Sequence, residues 1–533
     1  MTIPAQLDLT LSEAIEHVRA LLDKGSYAEA ESVCVSVLRQ VSASDELSEM
    51  LAFVLRRQGR WHKAALTARR ALKKSPDHLP LYVEAGLAIR ETGDNLAAEE
   101  CMREAVARDP SFVPGWYHLG RWLGEGDDTE AAVAALQRVV EFDPAYASAL
   151  GHLGVALTKA NRLEEATDVM LRGIALHPDD ADMCSNLAQV LDRLGRRNEG
   201  IAVCETFLSA HPGPQVGVED TLAKLRTHDA MISLRQGDFD TGWREYRWRF
   251  KTQALRSTLI GDIPEWDGTP LSGRTLLVYR EQGLGDFIQF CRYVPLIDPQ
   301  RSGRVLMLGR PELRRLLETL DGAELVEEQG ERIDMQIPIM NLPEAFGTRL
   351  DTIPNQVPYL RVEPELVATW RDRLSGDGFK VGLVWAGNPG YVNDKQRSCD
   401  LGTLIGPLRS VPGVRLFSLQ VGQRREALEG PEGEGIVDLA PDLTDFAETA
   451  AALCCLDLVI CVDTSVAHLA GALARPVWIM LPFAADWRWL EGREDSPWYP
   501  TARLFRQRAG EGDWRGVSAR LGQALLELIP AQG

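Results

Sequence analysis

DLVICVDTSVAHLAGALARPVWIMLP, residues 457–482, is the stretch that decides the fold of the C-terminal half of the chain. Its first apolar run predicts a buried strand, Leu458–Val462, and its last run predicts a second one, Val477–Leu481. The small residues between them predict a helix, Val466–Ala474. Two apolar runs on either side of a short helix are typical of a βαβ unit, and therefore of a parallel sheet covered on both faces.

Three polar residues, Asp463, Thr464 and Ser465, separate the first strand from the helix. In α/β folds a turn at this position holds anionic ligands, because the N–H groups at the start of the helix have no partner within it. A second interpretation is equally open, in which Thr464 and Ser465 only cap the helix. This stretch does not separate the two interpretations.

The length and composition are those of an ordinary multidomain protein. A chain of 533 residues is too long to fold around one hydrophobic core, so we predict two to four domains. The net charge is −19 without a basic stripe, which argues against nucleic acid and anionic membrane surfaces as partners. The nine cysteines are scattered, no signal peptide is evident, and no apolar run is long enough to cross a membrane. We therefore expect a cytoplasmic protein with no membrane span.

The N-terminal half contains a 34-residue repeat. Prolines recur at this interval, and small residues recur 24 and 12 positions before each proline. The three columns are Pro76, Pro110, Pro144, Pro178 and Pro212; Ala52, Gly86, Gly120, Gly154 and Ala188; and Ala64, Ala98, Ala132, Ala166 and Gly200. Small residues allow two helices to pack closely, and proline ends a helix. The pattern resembles the tetratricopeptide repeat over residues 9–212, although Asp127 and Asn161 stand where a turn glycine is usual.

Such an array implies six stacked helix pairs with a concave groove. We predict that the groove binds a protein partner; the alternative is a scaffold or dimerisation surface. Residues 213–270 are predicted to be capping helices followed by a linker. Aromatic side chains of this segment are expected to cover the open end of the array, namely Trp243, Tyr246, Trp248 and Phe250.

The C-terminal half predicts two α/β lobes, residues 271–376 and 377–533. The first lobe opens with a strand, Thr275–Tyr279, and the glycine turn QGLGD, residues 282–286. The second opens in the same way with FKVGLVWAGNPG, residues 379–390. The first turn is not a full dinucleotide fingerprint, because its third glycine is missing, and the chain has no G-K-[ST] sequence of a P-loop.

The first glycine turn offers a candidate site of its own. Gly283 and Gly285 allow a ligand to approach the backbone, and Asp286 stands at the start of the next helix. There Asp286 either points into the cleft above the sheet or caps the helix. Since His468 is the only histidine after His228 in the sequence, a general base in this half is a carboxylate or His468 itself.

Five motifs together resemble one family: EQGLGDFIQFCRYVP (281–295), VGLVWAGNP (381–389), SLQVG (418–422), DLVICVDTSVAHLAGAL (457–473) and DWRWLEGREDSPWYP (486–500). They are similar to bacterial tetratricopeptide proteins with a GT-B glycosyltransferase domain related to the lipopolysaccharide heptosyltransferases. The layout also resembles the eukaryotic O-linked N-acetylglucosamine transferase. The expected fold is an α-solenoid followed by α/β, with two Rossmann-like lobes in a GT-B arrangement.

The resemblance implies an inverting, metal-independent transferase that moves a sugar from a nucleotide sugar to a protein hydroxyl held by the repeats. Some proteins of this kind glycosylate flagellin, which makes flagellin the first acceptor to consider. Neither a cofactor nor a metal is implied, since the nucleotide sugar is a substrate. Two alternatives stay open: a lipid-linked or polysaccharide acceptor, and a repeat scaffold whose transferase lobes no longer catalyse.

Carried over from the family, Gly285 and Asp286 form the pair whose aspartate is taken as the catalytic base. The family's Asp-Thr-Gly-x-x-His donor motif resembles residues 463–468, with Ser465, a residue that restricts φ, in place of the glycine. The implied donor-binding residues are Gly283, Gly285, Asn388, Lys395, Arg397, Asp463, Thr464, Ser465 and His468.

Three assignments stay open within this resemblance. The family's phosphate-binding basic residue is matched by Arg397 or by Lys395. His468 orients the aspartate of its motif, touches phosphate, or is purely structural. Residues 486–500 either line the donor pocket with their tryptophans or, as we expect, form a C-terminal helix packed on the first lobe.

Overall fold

A computed structural model describes residues 10–41, 44–126, 128–255, 261–298, 300, 302–327, 332–391 and 394–529. The chain separates into two compact units, with the division between Leu225 and Arg226. One helix, Val216–Gln236, contains this division. No helix in the described ranges is long and apolar enough to cross a membrane.

The first unit is an α-solenoid of paired helices. Its helices are α1 Leu11–Asp23, α2 Tyr27–Gln40, α3 Asp45–Arg57, α4 Trp61–Leu72, α5 Pro80–Arg90, α6 Asn95–Arg108, α7 Val113–Glu125, α8 Thr129–Phe142, α9 Ala147–Lys159, α10 Leu163–Leu176, α11 Ala181–Arg193 and α12 Arg197–Ala210. Each proline of the repeat follows the second helix of a pair, because proline within the helix would remove a hydrogen bond and clash with the preceding turn. The alanines of the two small-residue columns are fully buried between helices: Ala52, Ala64, Ala98, Ala132, Ala166 and Ala188.

In five of the six helix pairs, the turn within the pair uses a residue in the left-handed region. Asn161 has a φ of 59° there, and the equivalent residues of other repeats have φ between 70° and 90°. Those residues are Gly25, Gly59, Gly93 and Gly195. Asparagine tolerates this conformation better than most residues, so Asn161 keeps the turn. Asp127, the other predicted departure, lies outside the described residues.

We expect Asn161→Val to lower the free energy of unfolding by about 1–2 kcal/mol, because a β-branched residue is strained at this φ. The free energy of unfolding of Asn161→Gly should differ from that of the parent chain by no more than about 0.5 kcal/mol, since glycine adopts the turn freely. Chemical denaturation of the full chain measures both variants. Ala160→Val, at the preceding residue with an ordinary φ of −70°, is the matched control. Equal losses at the two positions would contradict the turn requirement.

The second unit contains two parallel sheets. The strands of the first sheet are β1 Thr275–Tyr279, β2 Arg304–Leu308, β3 Glu324–Val326 and β4 Met335–Pro338, in the order β3-β2-β1-β4. Those of the second are β5 Phe379–Val384, β6 Val414–Ser418, β7 Ile436–Asp438, β8 Leu458–Val462, β9 Val477–Leu481 and β10 Ala502–Arg506, in the order β10-β9-β8-β5-β6-β7. The paired strands are parallel throughout both sheets. Every residue of β8 and β9 is buried, as in sheets with helices on both faces.

Both strand orders are those of doubly wound sheets. If the strands of the second sheet are renumbered 1 to 6 in chain order, their order from β7 to β10 is 3-2-1-4-5-6, which is the order of the Rossmann fold. The first sheet has the order 3-2-1-4, which is the first part of the same pattern. The order reverses between β5 and β8, and between β1 and β4. The connections after these neighbouring strands leave in opposite directions, so a crevice opens at their carboxyl ends.

Helices surround the sheets of the second unit. They are α13 Val216–Gln236, which starts before the unit, α14 Phe239–Tyr246, α15 Leu284–Phe290, α16 Val294–Ile297, α17 Arg314–Leu317, α18 Leu342–Ala345, α19 Pro364–Arg373, α20 Asp394–Arg397, α21 Leu401–Arg409, α22 Phe446–Cys454, α23 Ser465–Ala472 and α24 Arg515–Leu528. One apolar cluster contains Val278 of β1 together with Val459 and Cys461 of β8. The two sheets therefore share a core.

Two aromatic rings that we expected at the end of the array lie in this core instead. Trp243 and Tyr246, both on α14, are buried with the apolar residues of the sheets. The Trp243 indole donates to the carbonyl of Thr348 at 3.0 Å, and its ring meets that of Trp487 at 5.2 Å. The expectation is wrong for these two because large rings are stabilised by burial, and α14 offers them the core of its own unit.

Residues 486–500 were expected to form a C-terminal helix, and this expectation is wrong. The segment contains only a short 3₁₀ turn, Trp487–Trp489, followed by two residues in the left-handed region, Leu490 at 56° and Gly492 at 67°. Such residues end a helix. The last helix is α24, which packs against α21 beside the second sheet.

Candidate functional site

A cavity of about 1100 Å³ opens at the carboxyl ends of strands from both sheets. The predicted residues that line it are Gly283, Gly285, Asp286, Asn388, Arg397, Asp463, Thr464, Ser465 and His468. Lys395 does not line this cavity, and its side chain is exposed. Of the two basic candidates, the structure therefore brings Arg397 to the other predicted residues and leaves Lys395 outside.

Asp286 lies in the first turn of α15 and has two partners. Its Oδ2 accepts the N–H of Gly283 at 2.8 Å, and its Oδ1 accepts from Nη2 of Arg488 at 2.5 Å. Burial raises the pKa of Asp286, while the Arg488 guanidinium acts in the opposite direction. Since the side chain also lines the cavity, the two roles weighed from the sequence, capping and facing the cleft, are combined in one carboxylate.

Gly285 makes a close approach to another helix. A Cβ atom at this position would lie 2.8 Å from Cδ2 of His468 and 3.5 Å from Cα of Ser465. The start of α15 thus packs directly against the start of α23. We expected this glycine to admit a ligand; in the structure the space beside it is filled by the helix of the second sheet.

We expect Gly285→Ala to lower the free energy of unfolding by about 1–3 kcal/mol, because its methyl group overpacks the contact between α15 and α23. Thermal unfolding of the full chain measures the loss. Gly283→Ala is the matched control: its Cβ would meet only the carboxylate of Asp286, at 3.2 Å. A Gly285→Ala variant as stable as Gly283→Ala would contradict the packing argument.

The start of α23 presents unused polar groups. Thr464 precedes the helix with extended backbone, and its side chain makes no capping hydrogen bond. Its buried Oγ1 has no hydrogen-bond partner among the described residues. Ser465 is the first helical residue and is not in the left-handed region, so serine in place of the family's glycine causes no strain. An unpaired hydroxyl and the free N–H groups of the first turn therefore lie at the cavity.

Arg397 is held by three contacts. Its Nη1 donates to the carbonyl of Asp463 at 3.0 Å, its Nε donates to the buried Asp394 at 3.3 Å, and its guanidinium lies 4.7 Å from the centre of the Tyr391 ring. Gly387 leaves the room for this guanidinium, because a Cβ there would collide with Nη2. Within the described chain Nη2 donates to no protein acceptor. The side chain is thus fixed beside the start of α23 with donor capacity left over.

The loop after β5 is shaped by local hydrogen bonds. Asn388 is exposed, and its side-chain oxygen accepts the N–H of Gly390 at 2.9 Å. Gln420, which lies in the SLQVG motif but was given no role from the sequence, accepts the N–H groups of Trp385 and Ala386 at 3.1 and 2.9 Å. Asn388 therefore lines the cavity as part of a turn, and Gln420 sets the path of the backbone that leads to it.

His468 is held as a neutral ring. Its Nδ1 lies 2.9 Å from the hydroxyl of Tyr499, and its ring stacks on Trp489 with centroids 5.3 Å apart. Burial lowers the pKa of His468 well below its usual range. In the described structure no hydrogen bond joins it to Asp463, so the histidine does not orient that carboxylate.

The carboxyl group of Asp463 has a raised pKa. Burial raises its pKa to about 6, and the negative charge of Asp486 adds to the rise, whereas Arg488 and Arg397 oppose it. A carboxyl group that is partly protonated near pH 6 is able to donate a hydrogen bond to an anionic ligand. In the part of the chain that the structure describes, no group of three or more His, Cys, Asp or Glu side chains is arranged to hold a metal ion.

Arg488 is the main residue of the site that sequence reasoning missed. It donates to Asp286 at 2.5 Å and to Asp486 at 2.8 Å, from within the aromatic segment that was expected to be a helix. The only signal in the sequence is a basic residue between two tryptophans. Arg249 and Glu281, a fully buried ion pair of 2.6 Å next to the first glycine turn, were missed as well.

Comparisons with known proteins describe both units. The model of glycosyltransferase family 9 (heptosyltransferase) matches residues 416–479, which include Asp463 to His468 but not Asp286. Tetratricopeptide-repeat models match residues 15–78, 49–111, 83–147 and 123–183. The chain thus joins tetratricopeptide repeats to a glycosyltransferase domain, as predicted, in the predicted order of an α-solenoid followed by α/β.

Particular relatives resemble parts of the chain. Protein FlbA of Caulobacter vibrioides is 30% identical in an alignment of 346 residues, which covers 58% of this chain and 56% of FlbA. The chain therefore matches little more than half the length of this curated relative. Among solved structures, MamA is 21% identical over 31% of this chain and 90% of its own, with a TM-score of 0.29. Part of a TPR repeat-containing protein from Cytophaga hutchinsonii is 14% identical over 46% of this chain and 96% of its own, with a TM-score of 0.39.

Proposed function

We propose that this chain is an inverting, metal-independent glycosyltransferase that moves a sugar from a nucleotide sugar to a protein hydroxyl. The observation that carries the proposal is the cavity itself, which combines a carboxylate from the first sheet with anion-binding groups from the second. In this proposal residues 271–376 and 377–533 are the two lobes of a GT-B arrangement. Residues 9–212 hold the acceptor, and residues 213–270 connect the two parts.

The donor diphosphate binds at the start of α23. Free N–H groups and the helix dipole favour an anion there by roughly 0.3–1 kcal/mol, and by about 2 kcal/mol where partly buried. Since this is too little to hold a diphosphate, Arg397 adds a charge-assisted hydrogen bond worth about 1.5–3 kcal/mol. The unpaired hydroxyl of Thr464 offers one further donor. Together these donors would stabilise the negative charge that a metal ion stabilises in other transferases.

Asp286 acts as the general base in this proposal. The acceptor hydroxyl gives its proton to the carboxylate while its oxygen bonds to the anomeric carbon of the donor. The bond from that carbon to the phosphate oxygen breaks, and the nucleotide, a nucleoside diphosphate or CMP, leaves with the electron pair. Attack opposite the leaving group inverts the anomeric centre.

The acceptor is proposed to be a protein, and flagellin first. Support comes from the tetratricopeptide repeats, which commonly bind proteins, and from the resemblance to flagellin-modifying transferases. A lipid-linked or polysaccharide acceptor is the alternative, with the repeats recruiting a partner protein. We place the reaction in the cytoplasm, because all nine cysteines are free, as in proteins of a reducing compartment.

Thermal unfolding of the full chain with UDP, GDP, ADP and CMP tests the donor site. A nucleotide at about 100 times its Kd adds about 2.7 kcal/mol to the stability of the folded state, so one member of the panel should raise Tm by several degrees. Mass spectrometry of flagellin incubated with the matching nucleotide sugar then tests the acceptor. No shift with any nucleotide would overturn the proposed donor site. Transfer to a lipid-linked sugar but not to protein would favour the alternative acceptor.

A further inference from the structure

The loop that follows β9 carries a buried arginine to the carboxylate of Asp286. Arg488 is 6% exposed, and its guanidinium uses each of its nitrogen atoms. Nη2 donates to Asp286 at 2.5 Å, Nη1 donates to Asp486 at 2.8 Å, and Nε donates to Gln289 at 2.9 Å. The arginine lies in the loop that follows β9 of the second sheet, whereas Asp286 and Gln289 lie on α15, the helix that follows β1 of the first sheet. One side chain therefore ties the carboxylate to the lobe that holds the donor groups.

The neighbours of Arg488 leave it little freedom. Trp487 packs on Phe290 with ring centroids 6.3 Å apart, and Trp489 stacks on His468 at 5.3 Å. The Asp486 carboxylate also accepts the backbone N–H of Arg488, at 3.0 Å. The loop is thus anchored on both sides of the arginine, and the guanidinium is directed at α15.

We propose that Arg488 is a positioning residue of the transfer reaction, which orients the Asp286 carboxylate and keeps it ionised for proton abstraction. This inference rests on the proposed function, in which Asp286 is the base. It adds that the base of the first lobe is completed by an arginine of the second lobe. Proton abstraction is then possible only while the two lobes are in contact through Arg488.

The charges around Asp286 explain why such a partner is needed. Burial raises the pKa of this carboxyl, and two further carboxylates, Asp486 and Glu281, act in the same direction. The charge of Glu281 is largely balanced by its buried partner Arg249. Arg488 is the cation in contact with Asp286, and it opposes the rise.

Other groups face the same guanidinium from the elements packed around it. The hydroxyl of Tyr246 on α14 and the carboxyl of Asp463 after β8 interact with the charge of Arg488, and its charge also helps to keep His468 on α23 neutral. With a neutral side chain at position 488, Asp286 would remain beside Asp486 without a cation. Its proton would then be lost only at higher pH.

Steady-state kinetics between pH 5 and pH 9 test the inference with Arg488→Met and Arg488→Lys. For Arg488→Met we expect kcat at neutral pH to fall by about 10- to 100-fold, with the acid limb of the kcat profile shifted upward by about one pH unit or more. The KM for the donor should change much less. Arg488→Lys should restore the position of the acid limb to within about half a unit, since the positive charge is kept, but restore kcat only in part.

Controls separate this role from a structural one. Arg493→Met removes a cation from the same segment, where it pairs with Asp495 near the surface, and should leave the profile unchanged. A lower kcat in both Arg488 variants with an unmoved acid limb would overturn the inference and leave Arg488 as a link between the sheets. If Arg488→Met does not fold, a displaced acid limb in Arg488→Lys would overturn it equally. Full turnover by Asp286→Asn would instead overturn the proposed base, so the two failures are distinguishable.

Discussion

Asp286→Asn is expected to abolish sugar transfer while the donor still binds. The amide keeps the shape of the carboxylate and can still accept the N–H of Gly283, but it cannot take a proton from the acceptor. General-base catalysis contributes about 10²- to 10⁴-fold, so kcat should fall by at least the lower of these factors. Single-turnover transfer assays measure the loss, and titration with the matching nucleoside diphosphate measures donor affinity.

A capping aspartate elsewhere provides the matched control for this variant. Asp238 accepts the N–H of Thr241 at 3.2 Å at the start of α14, and asparagine is an equally good cap. Asp238→Asn should therefore leave transfer unchanged. If Asp286→Asn also retains transfer, the carboxylate is only a helix cap, and the base must be sought elsewhere in the cavity.

Arg397→Met is expected to weaken donor binding by about 10- to 100-fold, which corresponds to the loss of one charge-assisted hydrogen bond. The thioether keeps much of the volume of the side chain but removes the guanidinium that lies beside the start of α23. Isothermal titration with the nucleoside diphosphate measures the change. The affinity for the uncharged nucleoside should change far less, because the contact is with phosphate.

Lys395→Met is the matched control, because it removes the same charge from the same short helix, α20. Its side chain is exposed and lies outside the cavity lining, so its loss should leave donor affinity unchanged. An equal loss in both variants would mean that the charge acts at long range. Raising the ionic strength would then abolish the difference from the parent chain.

Much of the fold is predictable because it is encoded locally. The 34-residue spacing of prolines and small residues determines the helix pairs, since each repeat contacts mainly its neighbours. Apolar runs predict β1, β8 and β9 with the bounds that the structure has. By contrast, β10 and α24 were not predicted: the strand lies at the edge of its sheet and has arginine at two of its five positions, Arg503 and Arg506, and the helix has a mixed sequence.

The candidate site was predictable in part, for a similar reason. Thr464 stands in the turn after β8, and Asp286 stands at the start of the helix that follows β1. Parallel strands present their carboxyl ends on one edge of a sheet, which is where such residues lie. Their grouping in one cavity follows from the strand order. Arg397 and Lys395 are two positions apart, and their sequence positions do not reveal which of them reaches the cavity.

By itself, the sequence determined the repeat array, the two α/β lobes and the polar turns that follow their strands, because these depend on short-range periodicity and on residue type. Only the tertiary structure decided what those turns contact. Gly285 meets the start of α23, and Arg488 reaches Asp286 across 202 residues of chain. Such contacts arise from the packing of one sheet against the other, and a local pattern of residues carries no record of a partner so far away.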